Sequence, residues 1–185
     1  MSPADVKARI GQPAQARTAP TFPSHLLVTD RAYNPDETLL IRQAQSGHWD
    51  AFAELAGHYD APILALALRI TGSEREASKL FQTIFSRAYE ELRGYRFRCS
   101  FYLWIHRIVV RSCIQFLQQK DDSHVATPGT LAQLSPRERI VFELKHGFGL
   151  RLETVAAILE TSEAVARNIF LRAVIVLRLE ADKRG

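Results

Sequence analysis

Apolar residues recur along most of this chain at intervals of three and four, the spacing that gathers them on one side of an α-helix. The pattern begins after residue 35. Asp36 suits the N-cap of a helix over Glu37–Gln45 with Leu39 and Leu40 turned inward, and Ser46-Gly47 breaks it. A second helix carries Trp49, Phe52, Ala53 and Leu55 onto a core. Pro62 opens a third, Ile63 to Ile70, apolar on nearly every side and so predicted to be buried; Thr71-Gly72 ends it. Ser73 and Glu76 have the spacing of a capping box for a long helix to about Leu92. Its stripe of Ala77, Leu80, Phe81, Ile84, Phe85, Ala88 and Leu92 faces the core. After the Arg93-Gly94 turn, a further helix is predicted from Tyr95 to about Gln119.

The period then stops. Lys120 to Thr130, KDDSHVATPGT, is polar and carries Pro and Gly, which reads as a linker. Ser135-Pro136-Arg137-Glu138 starts a helix sharply, with Ser as cap, Pro in first place and Glu in third. That helix runs through Ile140, Val141 and Leu144 to about His146-Gly147. A short helix follows over Leu152–Leu159, packing through Val155, Ala156, Ile158 and Leu159. Glu160-Thr161-Ser162 makes a tight turn, and Ser162 caps a last helix to about Glu180. In it Val165, Ala166, Ile169, Phe170, Ala173, Val176 and Leu177 form one packing face. Two helices joined by a three-residue turn have the layout of a helix-turn-helix. No stretch alternates as a strand does. The predicted class is therefore all-α: a helical domain at residues 36–119, a flexible linker at 120–130 and a second, helix-turn-helix domain at 131–185. Residues 1–35 hold Pro3, Pro13, Pro20, Pro23 and Pro35 and read as a disordered or loosely extended arm. Its charged start leads into no apolar core, so a signal peptide is not expected.

Composition narrows the function. Apolar residues make up 46% of the 185, enough for buried cores. The longest apolar run, Ile63 to Leu68, is far shorter than the ~20 residues a membrane helix needs. A net charge of +4 and a pI near 9.3 hint mildly at a polyanionic partner. Cys99 and Cys113 are too few and too far apart for a zinc knuckle or a disulfide framework; as buried thiols they suit a reducing cytoplasm. The six histidines show no metal-ligand spacing, and there is no glycine-rich phosphate loop or nucleophile elbow. Glu143 and Glu153 read as solvated helix charges. No enzyme, metal, cofactor or small-molecule substrate is expected.

One stretch stands out for its chemistry: Tyr95 to Arg111, YRFRCSFYLWIHRIVVR. Tyr95, Phe97, Phe101, Tyr102, Trp104 and His106, with Phe116 just beyond, are interleaved with Arg96, Arg98, Arg107 and Arg111. Flat aromatic faces accept unstacked bases and arginines neutralise phosphate, so the stretch could be a platform for a single strand. Taken by itself, the stretch reads more simply as an amphipathic core helix with arginines on its wet side.

Taken whole, from about Asp36 to Arg178, the chain resembles a bacterial sigma-70 family factor of the small extracytoplasmic-function class. The resemblance lies in the order and spacing of DETLLIRQAQSGHWDAFAELAGHYD, LALRITGSEREA, LFQTIFSRAYEEL, SFYLWIHRI and LSPRERIVFELKHGFGLRLETVAAIL. It implies a first domain that binds the clamp of bacterial core RNA polymerase and captures a melted base of the promoter −10 element. The second domain would read the −35 element in the major groove. By resemblance the −10 contacts fall on Arg93, Arg96, Arg98, Ser100, Tyr102, Trp104, His106, Arg107 and Arg111, with Trp104 and Ile108 matching core positions. The last helix would meet DNA through Arg167, Asn168 and Arg172, and the polymerase would meet Lys79, Gln82 and Phe85. An anti-sigma factor is a further partner such a protein can have.

Three departures qualify this. Where the family carries an acidic run before the Gln, this chain has Ala77-Ser78-Lys79, and the Glu after the Gln is Thr83, so clamp binding is expected to be weaker or made elsewhere. Glu160 stands where the family has a turn Gly, forcing a left-handed backbone or a reshaped turn. The outer side of the last helix holds Leu171, Val174, Ile175 and Leu179 among its arginines, a mix that suits thymine methyls or a protein contact. Two rival readings stay open: a sigma-like adaptor that associates through its last helix, and a regulator of the LuxR type, to which LSPRERIVFELKHGFG is also similar. The second is disfavoured because no receiver pattern precedes it.

Overall fold

The computed structural model describes residues 35–122 and 130–183. Among them lie eight α-helices and no strand: α1 (Pro35–Gln45), α2 (Trp49–Gly57), α3 (Asp60–Thr71), α4 (Glu74–Leu92), α5 (Phe101–Asp122), α6 (Pro136–Phe142), α7 (Leu152–Ile158) and α8 (Glu163–Asp182). A 3-10 turn, Thr130–Gln133, precedes α6, and a π-helical turn, Glu143–Gly147, follows it. The all-α class holds. The arm expected at residues 1–35 and most of the linker expected at 120–130 lie outside the described residues.

The first five helices pack α1 on α2, α3 on α4 and α4 on α5. The predicted α4 stripe, Ala77 to Leu92, is buried throughout. In α1 the inward residues are Ile41 and Ala44, whereas Leu39 is 57% exposed. At 100° per residue Leu39 sits 200° from Ile41, so one helix cannot bury both. Gly72 ends α3 in the left-handed conformation (φ 67°), its N–H donating to the Leu68 carbonyl at 2.8 Å. The capping box expected from Ser73 is not made. Its N–H donates instead to Thr71 Oγ1 at 3.4 Å, and Glu76 accepts from Lys79 Nζ at 3.2 Å.

Residues Tyr95–Ser100 form a loop, not the predicted start of a helix. Phe97 has φ 56°, which no right-handed helix contains. The loop is tied down locally. Tyr95 Oη donates to the Cys99 carbonyl at 2.6 Å, and Gln45 Nε2 from the end of α1 donates to the carbonyls of Leu92 (3.0 Å) and Tyr95 (2.8 Å).

At the start of α6 the predicted capping box is present: Ser135 Oγ accepts from the Glu138 N–H, and the Glu138 carboxylate accepts from the Ser135 N–H at 3.0 Å. α6 and α7 pack on α5, and α8 closes over α6 and α7. Ile140, Val141, Leu144, Val155, Ile158 and Ala166 join the same buried cluster as Ile41 to Leu117. Glu143, expected in solvent, is buried and paired with Arg69 of α3. Burial of a carboxylate requires such a partner, and the partner lies 74 residues earlier in the chain. In α8, Ala166 and Ala173 are buried and Ile169 and Phe170 half-buried, but Val165, predicted to pack, is exposed. Cys113 is buried and Cys99 only partly so.

Candidate nucleic-acid interface

The basic and aromatic residues of the central stretch divide into three groups by position. The first occupies the loop before α5, where Arg93, Arg96 and Arg98 are all exposed. Arg96 Nη1 donates to the Arg93 carbonyl at 2.6 Å, which keeps the two residues together. Between Arg96 and Arg98, Phe97 is 41% exposed, unusual for a Phe. Its ring leans on Tyr95 (centroids 4.8 Å apart), and the Arg42 guanidinium of α1 lies 5.4 Å from its centroid. Neither Phe97 nor Arg42 stands among the site residues predicted from sequence. Phe97 belongs to the aromatic–arginine alternation, but its outward pose depends on a left-handed φ that the alternation cannot reveal. Arg42 lies 55 positions away.

The second group is internal. Tyr102 and His106, expected to offer their rings to bases, are buried. His106 Nδ1 donates to the Tyr102 carbonyl at 2.8 Å, the ring centroids are 4.0 Å apart, and burial pulls the imidazole down to about 4. Burial likewise pushes the Tyr102 hydroxyl above its ordinary value. Both support α5 from inside and cannot stack with a base in this arrangement. Trp104 is half-buried against Tyr95 and Phe101, with centroids at 5.2 and 5.1 Å, the packing role the resemblance implies. Ser100 begins α5, its Oγ accepting from the Leu103 N–H at 3.3 Å.

The third group lies along α5 where α7 rests. Arg107 donates through Nη2 to the Ala157 carbonyl at 3.2 Å and pairs through Nη1 with Glu160 at 3.0 Å. Arg111 is exposed and pairs with Glu91 at 2.6 Å. Trp104, Arg107, Arg111, Leu159 and Glu160 line a groove of about 300 Å³ there.

On α8, Asn168 is exposed, Arg167 pairs with Glu163, and Arg172 lies 3.6 Å from Glu138. Leu171, Ile175 and Leu179, 49–57% exposed, run as a strip between these arginines; Val174 is only half-exposed. On α4, Lys79 points outward and Gln82 is half-buried. Phe85, expected at a partner surface, sits in the core against Phe81 (4.7 Å), because it falls on the stripe that α4 buries. Among the described residues no helix is long and apolar enough to cross a membrane.

The described residues form α-helices with a basic, aromatic loop ahead of α5, and comparison with known proteins finds relatives of this kind. The family profile "Sigma-70 region 2" matches residues 55–122. The chain is 29% identical over 148 residues to the ECF RNA polymerase sigma factor SigW of Bacillus subtilis, covering 75% of each chain. It is 24% identical over 169 residues to the ECF RNA polymerase sigma-E factor of Haemophilus influenzae, covering 72% of this chain and 89% of that one. Its fold matches that of CnrH, solved in complex with the cytosolic domain of CnrY, with a TM-score of 0.61 and 26% identity over 81% of this chain and 99% of the other. Together these matches support an ECF-class member of the sigma-70 family.

Proposed function

We propose that this sigma factor binds bacterial core RNA polymerase and directs it to promoters by two contacts, one made by residues 36–119 and the other by residues 131–185. The observation that carries the reading is the Arg93–Ser100 loop. An outward Phe97 is held between three exposed arginines, with a fourth cation on its ring. That arrangement suits an unpaired base stacked on the ring with its phosphates on Arg93, Arg96 and Arg98, which is the −10 contact. Arg111, exposed on α5 and paired with Glu91, is a further cation that a phosphate could take up. On α8, Arg167, Asn168 and Arg172 are the groups available to a −35 major groove. Lys79 and Gln82 of α4 face the polymerase clamp. SigW and sigma-E support this by their names as RNA polymerase sigma factors. CnrH supports a regulatory protein partner of the anti-sigma kind, since it was solved bound to the cytosolic domain of CnrY.

The test is reconstitution. The purified chain is mixed with core polymerase and a set of fork-junction promoters, and transcript and co-migration are followed. Transcription from any of them is the expected result. A chain that does not bind core even at low salt overturns the proposal.

A further inference from the structure

Arg42 belongs to α1, far from the basic loop in sequence, yet its guanidinium lies over the loop's outward ring. It is exposed in the last turn of that helix, with its guanidinium carbon 5.4 Å from the Phe97 centroid. Among the described residues this guanidinium makes no hydrogen bond and no ion pair. Arg96, Arg107 and Arg111, by contrast, spend donors on Arg93, Ala157, Glu160 and Glu91. Arg42 thus keeps its whole fork of N–H donors, held by nothing but a ring face.

The backbone around the two side chains brings them together. Gln45, in the same turn of α1, donates through Nε2 to the carbonyls of Leu92 at 3.0 Å and Tyr95 at 2.8 Å, which fastens the helix end to the start of the loop. Tyr95 Oη donates to the Cys99 carbonyl at 2.6 Å and closes the loop across Phe97. Phe97 itself holds φ 56°, which a bulky residue keeps only where its surroundings impose it.

Spacing decides what the pair can do. A base slotted between ring and guanidinium needs roughly 3.5 Å on each face, about 7 Å in all. Only 5.4 Å is present. A base stacking on this face of Phe97 therefore displaces Arg42 to its own edge. At an edge, a guanidinium donates two parallel hydrogen bonds to two neighbouring acceptors. Guanine offers such a pair in O6 and N7, and an unpaired cytosine in N3 and O2. Adenine places its amino group between N7 and N1, and thymine its N3–H between O4 and O2, so neither offers two acceptors side by side.

We infer that Arg42 is a specificity-determining residue of the single-strand site. It covers Phe97 in the free protein and, when a base stacks there, moves to that base's edge and selects cytosine or guanine over adenine and thymine. The inference rests on the proposed −10 contact and adds to it a residue from another helix and a class of base.

The test uses the full chain with core polymerase and a fork-junction series in which each unpaired position carries each of the four bases in turn. Half-maximal concentrations are read for wild type, Arg42→Ala, Arg42→Lys and Phe97→Ala. At one unpaired position wild type is expected to favour cytosine or guanine about tenfold, within the worth of one bidentate pair. Arg42→Ala should reduce that preference to less than about twofold and leave the other positions as they were. Arg42→Lys keeps the charge but presents a point donor, so it should hold affinity and lose the selection. Phe97→Ala should weaken binding whichever base stands there. A further arm needs no variant. Replacing a preferred guanine by 7-deazaguanine, or a preferred cytosine by 3-deazacytosine, removes one acceptor of the pair and should cost wild type about the same tenfold.

The inference is overturned if wild type binds the fork without favouring cytosine or guanine at any unpaired position. It is equally overturned if Arg42→Ala or Arg42→Lys selects as wild type does, if Phe97→Ala binds as wild type does, or if the deaza base binds like its parent. A wild type that binds neither core nor fork overturns the sigma-factor proposal, and this inference with it.

Discussion

Phe97 and His106 sit nine residues apart in the same aromatic run, and the fold sends them to opposite fates. Phe97 is turned outward by its positive φ, while His106, one helical turn after Tyr102, points into the core. Two predictions follow from this contrast. Replacing Phe97 with Ala should weaken capture of single-stranded −10 DNA by about 1–3 kcal/mol, the usual worth of a base–aromatic stack. It should lower the melting temperature only slightly, since Phe97 is 41% exposed and lies on a loop outside the buried cluster; fork-DNA titration and thermal melting check the two halves of that statement. For His106, the unfolded imidazole takes a proton below about pH 6.5, whereas the folded one refuses it until about pH 4. Its contribution to stability is therefore complete above pH 6.5 and is lost as the pH falls towards 4, with a limiting slope of about 1.4 kcal/mol per pH unit. Denaturant titrations across that window should show the slope in wild type and a flatter profile in His106→Gln. An alternation of aromatics and arginines marks this run as chemically unusual, but it does not say which rings are wet. Wetness depends on one backbone angle at Phe97 and on which face of α5 meets α3.

At the scale of elements, the two ends of α4 and α6 show how far local rules carry. Both helices are preceded by Ser with Glu three residues on, yet only Ser135–Glu138 closes a capping box. At Ser73 the competing acceptor is Thr71 Oγ1, and Glu76 is drawn to Lys79 and Lys120. Ser135→Ala should accordingly cost about 1 kcal/mol in denaturant unfolding, and Ser73→Ala much less. On α8 the exposed strip of Leu171, Ile175 and Leu179 lies where phosphate-seeking side chains would serve a DNA reader. Leu171→Lys with Ile175→Lys should strengthen promoter binding at low salt and steepen its salt dependence by roughly two units of slope, about 0.9 for each new phosphate contact. Binding isotherms at several salt concentrations measure it. If α8 instead serves a protein partner, the double substitution leaves the slope unchanged. The resemblance left two outcomes for Glu160, a left-handed backbone or a reshaped turn, and the fold takes the first, with φ 53°.

For the whole molecule, the buried cluster runs from Ile41 to Ala166 without division, although sequence reading separates two domains at a polar linker. A continuous core with arginines tied across it should unfold as a single cooperative step. Calorimetry is expected to give equal calorimetric and van't Hoff enthalpies for wild type, and two separable transitions for Arg69→Glu. The role of Glu143 belongs to this scale. Read along the chain it is a helix carboxylate among other charges; in the fold it is a buried anchor.

What sequence alone determined is the set of helices, the stripe that α4 buries, the sharp start of α6 and the all-α class. Those follow from periodicity, caps and breakers, which act within about one helical turn and can be seen in a short window. The resemblance to ECF sigma factors was legible for the same reason, being an order of such local patterns. The tertiary structure alone decided that Tyr95–Ser100 is a loop, that Tyr102 and His106 are internal, and that Glu143 and Arg107 are committed across the molecule. Each of those outcomes is set by partners 50 to 74 residues distant or by which faces of two helices meet. A charge or a ring carries no local sign of a partner so far along the chain, so its fate appears only when the helices are packed.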